Sequence, residues 1–179
     1  FSSLGVKDGT DSKYLQTKFR AENHIKNSLQ NYVLIKTSVV FGPDDNFFNT
    51  FAKLARIFPV LPIVGCEVKF QPCYVGDVGD AINHIVETET LAKTYELAGP
   101  KSYTLYELIK FMLKEIRRKN VIIPLPFGIG KFQAFFMQLA PKPILTIDQI
   151  KILESGDNII TGENNTFSDL SICLLYTSP

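Results

Sequence analysis

The stretch YVLIKTSVVFGP, Tyr32–Pro43, constrains the fold of this chain more than any other part of it. It is a run of apolar and β-branched residues closed by Gly42 and Pro43, and it lacks the strict alternation of a strand with one wet face. Such a run marks a strand buried on both faces of a parallel sheet. A parallel strand needs a crossover before it, and the preceding residues supply one. Asp11 or Ser12 can cap a helix reaching about Leu29, on which Tyr14, Lys18, Ala21 and Ile25 share a face. Helix followed by buried strand defines an α/β chain.

The rest of the sequence continues in that style. Asp44 and Asp45 precede a second helix whose Phe47, Phe48, Phe51, Leu54 and Phe58 fall at helical spacing, stopped by Pro59. Residues Val60 to Val75 read as two short strands around Gly65 and Glu67, with Pro72 at an edge or bulge. Asp77 is expected to cap a third helix that buries Val78, Ala81, Ile82, Ile85 and Val86, and Lys93–Pro100 to form a further strand. Two capping boxes, Thr104 with Glu107 and Thr146 with Gln149, fix two helix starts. The first begins a helix burying Leu105, Leu108, Ile109, Met112, Leu113 and Ile116, and it ends in the basic run Arg117–Lys119, which suits its negative pole. Between the boxes Phe132, Phe135, Phe136 and Leu139 mark an amphipathic helix with Lys131 and Gln133 on its polar side. Burial of that phenylalanine face is the expectation, with a partner protein or membrane face as the alternative.

Bulk properties narrow the function. With 179 residues, 45% of them hydrophobic, the chain can bury one ordinary core, and a formal charge of +1 gives no global field for nucleic acid or an anionic membrane. Cys66, Cys73 and Cys173 form no CxxC pair, and His24 and His84 stand apart from them, so no metal site and reduced thiols are expected. His24 reads as a surface residue and His84 as a structural one. The opening FSSLGVKDG has no basic stretch before an apolar run and is not a signal peptide. Sequence upstream of Phe1 is expected, and Cys173–Pro179 are set aside as a non-native tail. The longest uncharged apolar run, Val121–Gly130, falls short of the roughly 20 residues a membrane helix needs.

Chemistry is concentrated in DSKYLQTKFRAE, Asp11–Glu22. Tyr14 and Lys18 lie four residues apart, so a phenol and an ammonium share one helix face, and a nearby cation favours the phenolate that an acid/base tyrosine must form. The pattern alone is common. It gains weight from Ser2 and Ser3 just upstream, across a loop bounded by Gly5 and Gly9, and from the buried strand and VFGPDD downstream. Asp44 with Asp45, and Asp77 with Asp80, read as helix caps and not as paired catalytic carboxylates.

That order resembles the extended and atypical short-chain dehydrogenase/reductases, the NAD-dependent epimerase/dehydratase superfamily. The strings FGPDDNFFNTFAKLARIFPVLPIVG, KFQPCYVGDVGDAI and KTYELAGPKSYTLYELI resemble the branch related to the nucleotide-binding accessory subunit nine of respiratory complex I, from about Ser2 to Ile172. The resemblance implies the C-terminal part of a Rossmann-type doubly wound parallel sheet plus a small mixed substrate-binding domain. Residues 1–58 would belong to the former and 59–172 to the latter, with a return to the sheet over about 74–98. It makes Tyr14 the acid/base, Lys18 the grip on the nicotinamide ribose and Ser2 the hydrogen-bond partner of the substrate. Thr37, Ser38, Val39 and Val40 would stand where the backbone meets the nicotinamide, although Lys36 and Thr37 replace the usual Arg and Pro. Gln71 would lie near substrate, with Lys69 and Phe70 as cleft wall or edge strand.

The implied cofactor is NAD or NADP, and the implied activity that of an oxidoreductase or epimerase. The alternative is a non-catalytic NAD(P)-binding accessory or assembly subunit with respiratory-complex partners. The compartment would be the bacterial cytoplasm or the matrix side of the inner membrane. No GxxGxxG or GxGxxG occurs in these residues, so the pyrophosphate-binding half of the dinucleotide fold is expected to be missing.

Overall fold

In the structure, a computed structural model, residues 1–88, 93–138, 143 and 145–175 are described. The elements run β1 (Ser2–Ser3), α1 (Lys13–Ser28), β2 (Val33–Thr37), β3 (Val40–Phe41), α2 (Phe47–Ile57), β4 (Val60–Val64), β5 (Lys69–Phe70), β6 (Cys73–Tyr74) and α3 (Val75–Glu87). They continue with β7 (Lys93–Leu97), β8 (Tyr103–Thr104), α4 (Leu105–Glu115), β9 (Val121–Leu125), α5 (Phe127–Met137), α6 (Ile147–Glu154) and a 3-10 helix, Phe167–Leu170. No helix among the described residues is long and apolar enough to cross a membrane.

Strands β1, β2 and β7 form a parallel sheet with β2 in the centre, Ser2 opposite Lys36 and Val33 opposite Lys93. Successive side chains of a strand point to opposite faces, and the neighbours Leu34 and Ile35 are both buried, so β2 is covered on both sides as its sequence requires. The run Tyr32–Pro43 is nevertheless not one strand. It leaves the sheet after Thr37, and β3 pairs in parallel with β6 instead. The Ser38 N–H donates to the Leu97 carbonyl at 3.3 Å while the Val39 carbonyl accepts from Cys73 at 3.0 Å, so the chain changes partners across two residues.

The segment Val60–Val75 holds three short strands where two were expected. Strand β4 pairs in parallel with β9, β5 pairs antiparallel with β8, and Pro72 lies between β5 and β6. Strand β9 was not anticipated, because Pro124 argues against a strand interior. A strand bonded on one side alone tolerates proline, and among the described residues β9 pairs with β4 alone.

Among the described residues three apolar clusters result. One joins α2, β4 and α4 through Ala55, Leu61, Leu108 and Ile109. A second packs α3 and the 3-10 helix on β2 and β7, with Ala81, Leu97, Phe167 and Leu170. A third is small and gathers Val64, Ala134 and Ile150 beneath α5 and α6. Helix α2, inside the segment expected to belong to the Rossmann part, packs on α4.

Two helices depart from their sequence reading. Tyr74, not Asp77, caps α3, and Asp77 lies in the first turn with 1% of its surface exposed, accepting the Leu175 N–H at 3.1 Å. Val86 and His84 on the same helix face solvent. On α5 the expected burial is inverted: Phe132, Phe135 and Phe136 are 68%, 58% and 55% exposed, whereas Gly130 and Ala134 are buried. A Cβ on Gly130 would lie 2.4 Å from Val64 Cγ2, so α5 approaches β4 by its small face and turns the large one outward. Leu139, read as part of that face, lies outside the described residues.

Candidate functional site

The helix carrying Tyr14 and Lys18 is anchored from two directions. Ser12 caps it, its hydroxyl accepting the Leu15 N–H at 3.3 Å. Asp148, at the start of α6, accepts the N–H groups of Lys13 at 2.7 Å and Tyr14 at 3.2 Å and the Ser12 hydroxyl at 3.1 Å. A carboxylate on those free donors also sits at the positive pole of α1, where negative charge is favoured. No local signal announces Asp148, which is 134 residues from Tyr14.

Tyr14 and Lys18 emerge on the open side of α1. Tyr14 is 45% exposed, Lys18 Nζ lies 5.8 Å from the centre of its ring, and the ammonium donates to the Phe1 carbonyl at 3.2 Å. The expected pairing across one turn is therefore present, beside the strand end that carries Ser2. A phenol and an ammonium on one open face are donors suited to the hydroxyl groups of a ribose.

Ser2 is occupied differently. It is 8% exposed, and its hydroxyl donates to Glu22 Oε1 at 2.5 Å, while Glu22 Oε2 pairs with Lys36 Nζ at 2.9 Å. Glu22 is itself 4% exposed, so this is a buried ion pair whose remaining lone pair is satisfied by a hydroxyl. Lys36, which departs from the pattern of the resembling family, thus has a partner of its own. Glu22 escaped the sequence reading, although its place seven residues after the buried Leu15 put an acid on the inner face of α1.

The backbone from Thr37 to Val40 is already engaged. The Thr37 carbonyl accepts from Leu4 at 3.0 Å, Ser38 and Val39 make the bonds described above, and Val40 stands opposite Cys73. The Ser38 hydroxyl donates to Asn158 Oδ1 at 2.7 Å and accepts the Gln71 N–H at 3.1 Å. Gln71 is a strut: its Nε2 donates to the Gly99 carbonyl at 3.2 Å and its Oε1 accepts the Ile160 N–H at 2.7 Å. Gly99 must be glycine there, since a Cβ would come within 2.1 Å of the Pro72 carbonyl oxygen.

The parallel sheet with crossover helices is a Rossmann-type arrangement, similar to that of solved reductases and epimerases. The chain belongs to the RmlD substrate binding domain family, whose model matches residues 9–141. It is 31% identical over 183 residues to subunit 9 of the NADH dehydrogenase [ubiquinone] 1 alpha subcomplex, mitochondrial, from Arabidopsis thaliana. The match covers 96% of this chain and 45% of that protein, so the chain spans less than half of its relative's length. Among solved structures, it resembles a nucleoside-diphosphate-sugar epimerase from Staphylococcus aureus with a TM-score of 0.72 at 15% identity, over 94% of this chain and 58% of that one. It also resembles a dTDP-4-dehydrorhamnose reductase from Bacillus anthracis in complex with NADP, with a TM-score of 0.57 at 22% identity, over 73% of this chain and 44% of that one.

Proposed function

We propose that this chain supplies the nicotinamide-facing part of an NAD(P)-binding accessory subunit of a respiratory complex, on the matrix side of the inner membrane. Lys18 and Tyr14 hold the nicotinamide ribose from the open side of α1. Residues 1–58, with the return over 74–98, serve the cofactor, and the remainder up to 172 forms the smaller domain. The observation that carries the reading is the Ser2 hydroxyl, which is tied at 2.5 Å to a carboxylate already paired with Lys36. A serine that orients a substrate needs its hydroxyl free to turn. Holding a ribose requires only Tyr14 and Lys18, which remain on an open face. The similarity to the Arabidopsis mitochondrial subunit supports the same role.

The second reading is an NAD(P)-dependent oxidoreductase or epimerase, favoured by the retention of Tyr14 with Lys18 at one helical turn. A bound nicotinamide would supply the hydride chemistry. The chain's own part would be proton exchange at the Tyr14 hydroxyl, with the Lys18 ammonium one helical turn away. Thr37 to Val40 would border the ring, and in either reading Gln71 acts by bracing Gly99 and Ile160.

Reduced nicotinamide mononucleotide tests both readings, because it presents the half of the cofactor these residues suit. Binding should weaken roughly tenfold in Lys18→Ala, the scale of one lost charge-assisted hydrogen bond. Neither the parent chain nor Tyr14→Phe should turn over carbonyl compounds or nucleotide sugars. Turnover in the parent that vanishes in Tyr14→Phe would establish the enzyme instead, and failure to bind would overturn both.

A further inference from the structure

Between α2, β4, α5 and α6 lies a cavity of about 550 Å³, within the range of roughly 300–1,000 Å³ that small-molecule sites occupy. Its wall is apolar: Phe51, Leu54, Pro62, Val64, Met137 and Leu153 contribute to it, and Thr50 and Gln133 are the polar side chains among its lining. The Thr50 hydroxyl already donates to the Asn46 carbonyl within its own helix. Among the described residues, no charged side chain lines the space.

Interiors of folded chains carry few voids larger than a water molecule, so an opening of this size is unusual for a packing fault. Water is a poor occupant, since each buried molecule needs two to four polar partners and nearly all of this wall offers none. The span Thr50–Phe58 follows about 12 Å of α2 and its cap, and Val60–Val64 about 13 Å of strand. Helix α5, which closes one side through Gln133 and Met137, turns Ile129, Phe132, Phe135 and Phe136 into solvent, so an apolar surface adjoins the cavity.

We propose that this cavity is a binding site for a long aliphatic chain, the acyl tail of a fatty acid or lipid. An acyl tail matches these features: it carries no charge, it needs no hydrogen bonds, and its serial methylenes adapt to an apolar wall built from several elements. Its polar head would remain outside, where the exposed end of the cavity meets water.

The inference is independent of the nicotinamide reading, because the cavity shares no residue with Tyr14, Lys18 or Ser2. Native mass spectrometry and calorimetric titration of the 179-residue chain with palmitate, octanoate and phosphatidylcholine test it. One equivalent of palmitate should bind, more tightly than octanoate, and binding should fall at least roughly tenfold in Val60→Trp and Met137→Trp, whose indoles fill the space. Circular dichroism melts verify folding, and whichever of the two variants keeps the parent's melt decides. A one-to-one phosphatidylcholine adduct would identify the source as a membrane lipid, and palmitate alone a free fatty acid. No palmitate binding, or equal binding by a folded tryptophan variant, would overturn the proposal.

Discussion

Cys73 lies on β6 with 2% of its surface exposed, its thiol facing the Leu97 carbonyl at 3.5 Å. Burial, and after it the charge of Asp77, push that thiol up from its ordinary value of 9.0 to about 12. An unfolded chain releases this proton near pH 9, the native chain not until about 12, so between those values the unfolded state binds fewer protons. The contribution is intact below pH 9 and is lost as pH climbs toward 12. Denaturant midpoints should therefore fall from pH 9 to 11 in the parent and fall less steeply in Cys73→Ala. At pH 8 a thiol reagent should modify the exposed Cys173 first and spare Cys66 and Cys73 until the chain unfolds. Residue-scale geometry was legible where it is local: Tyr14 and Lys18 are neighbours because residues four apart on a helix must be. The Ser2–Glu22–Lys36 cluster was not, since it depends on the register that sets Ser2 opposite Lys36 and on the face α1 presents to that strand.

Helix ends show the same division. The capping boxes at Thr104 and Thr146 stand as read, because both partners lie within one turn. Helix α1 adds a cap from elsewhere in the fold, Asp148, and Asp148→Ala would leave the Lys13 and Tyr14 N–H groups without it. The expected cost is about 1–2 kcal/mol, the scale of a lost N-cap. It should be measurable by denaturant unfolding and accompanied by faster amide exchange in the first turn of α1. Asp148→Asn, which keeps an acceptor oxygen, should recover part of the loss. Helix α5 marks the limit of reading a face from periodicity. The phenylalanine stripe was correctly spaced, but Gly130 and Ala134 allow β4 to come closer than any phenylalanine would, and close approach decided which side is inside.

At the scale of the molecule the last described stretch, 157–175, binds the parts together. Asn158 donates to the Leu4 carbonyl at 2.7 Å and accepts from Ser38, while Thr161 and Asn164 satisfy the buried Glu96 carboxylate at 2.7 and 2.8 Å. Phe167 and Leu170 complete the cluster over β2 and β7. Ending the chain at Gly156 would remove two core side chains, worth about 1.5–3 kcal/mol each, and leave the Glu96 carboxylate, now 2% exposed, without its partners. The shortened chain should lose its near-ultraviolet circular dichroism and bind a hydrophobic dye, while a retained sharp melt would show that this stretch is dispensable. The Thr166–Asp169 capping box within it is local, but the bonds that tie the stretch to the rest of the fold reach residues far away in the sequence. The sequence by itself determined the α/β character, the buried central strand, the helix starts at Ser12, Thr104 and Thr146 and the Tyr14–Lys18 face, because hydrophobic period, capping and helical spacing act within a few residues. Tertiary structure alone decided where the central strand ends, which face of α5 is covered and what the Ser2 hydroxyl touches, because each is settled by competition between surfaces that meet only after the chain has folded.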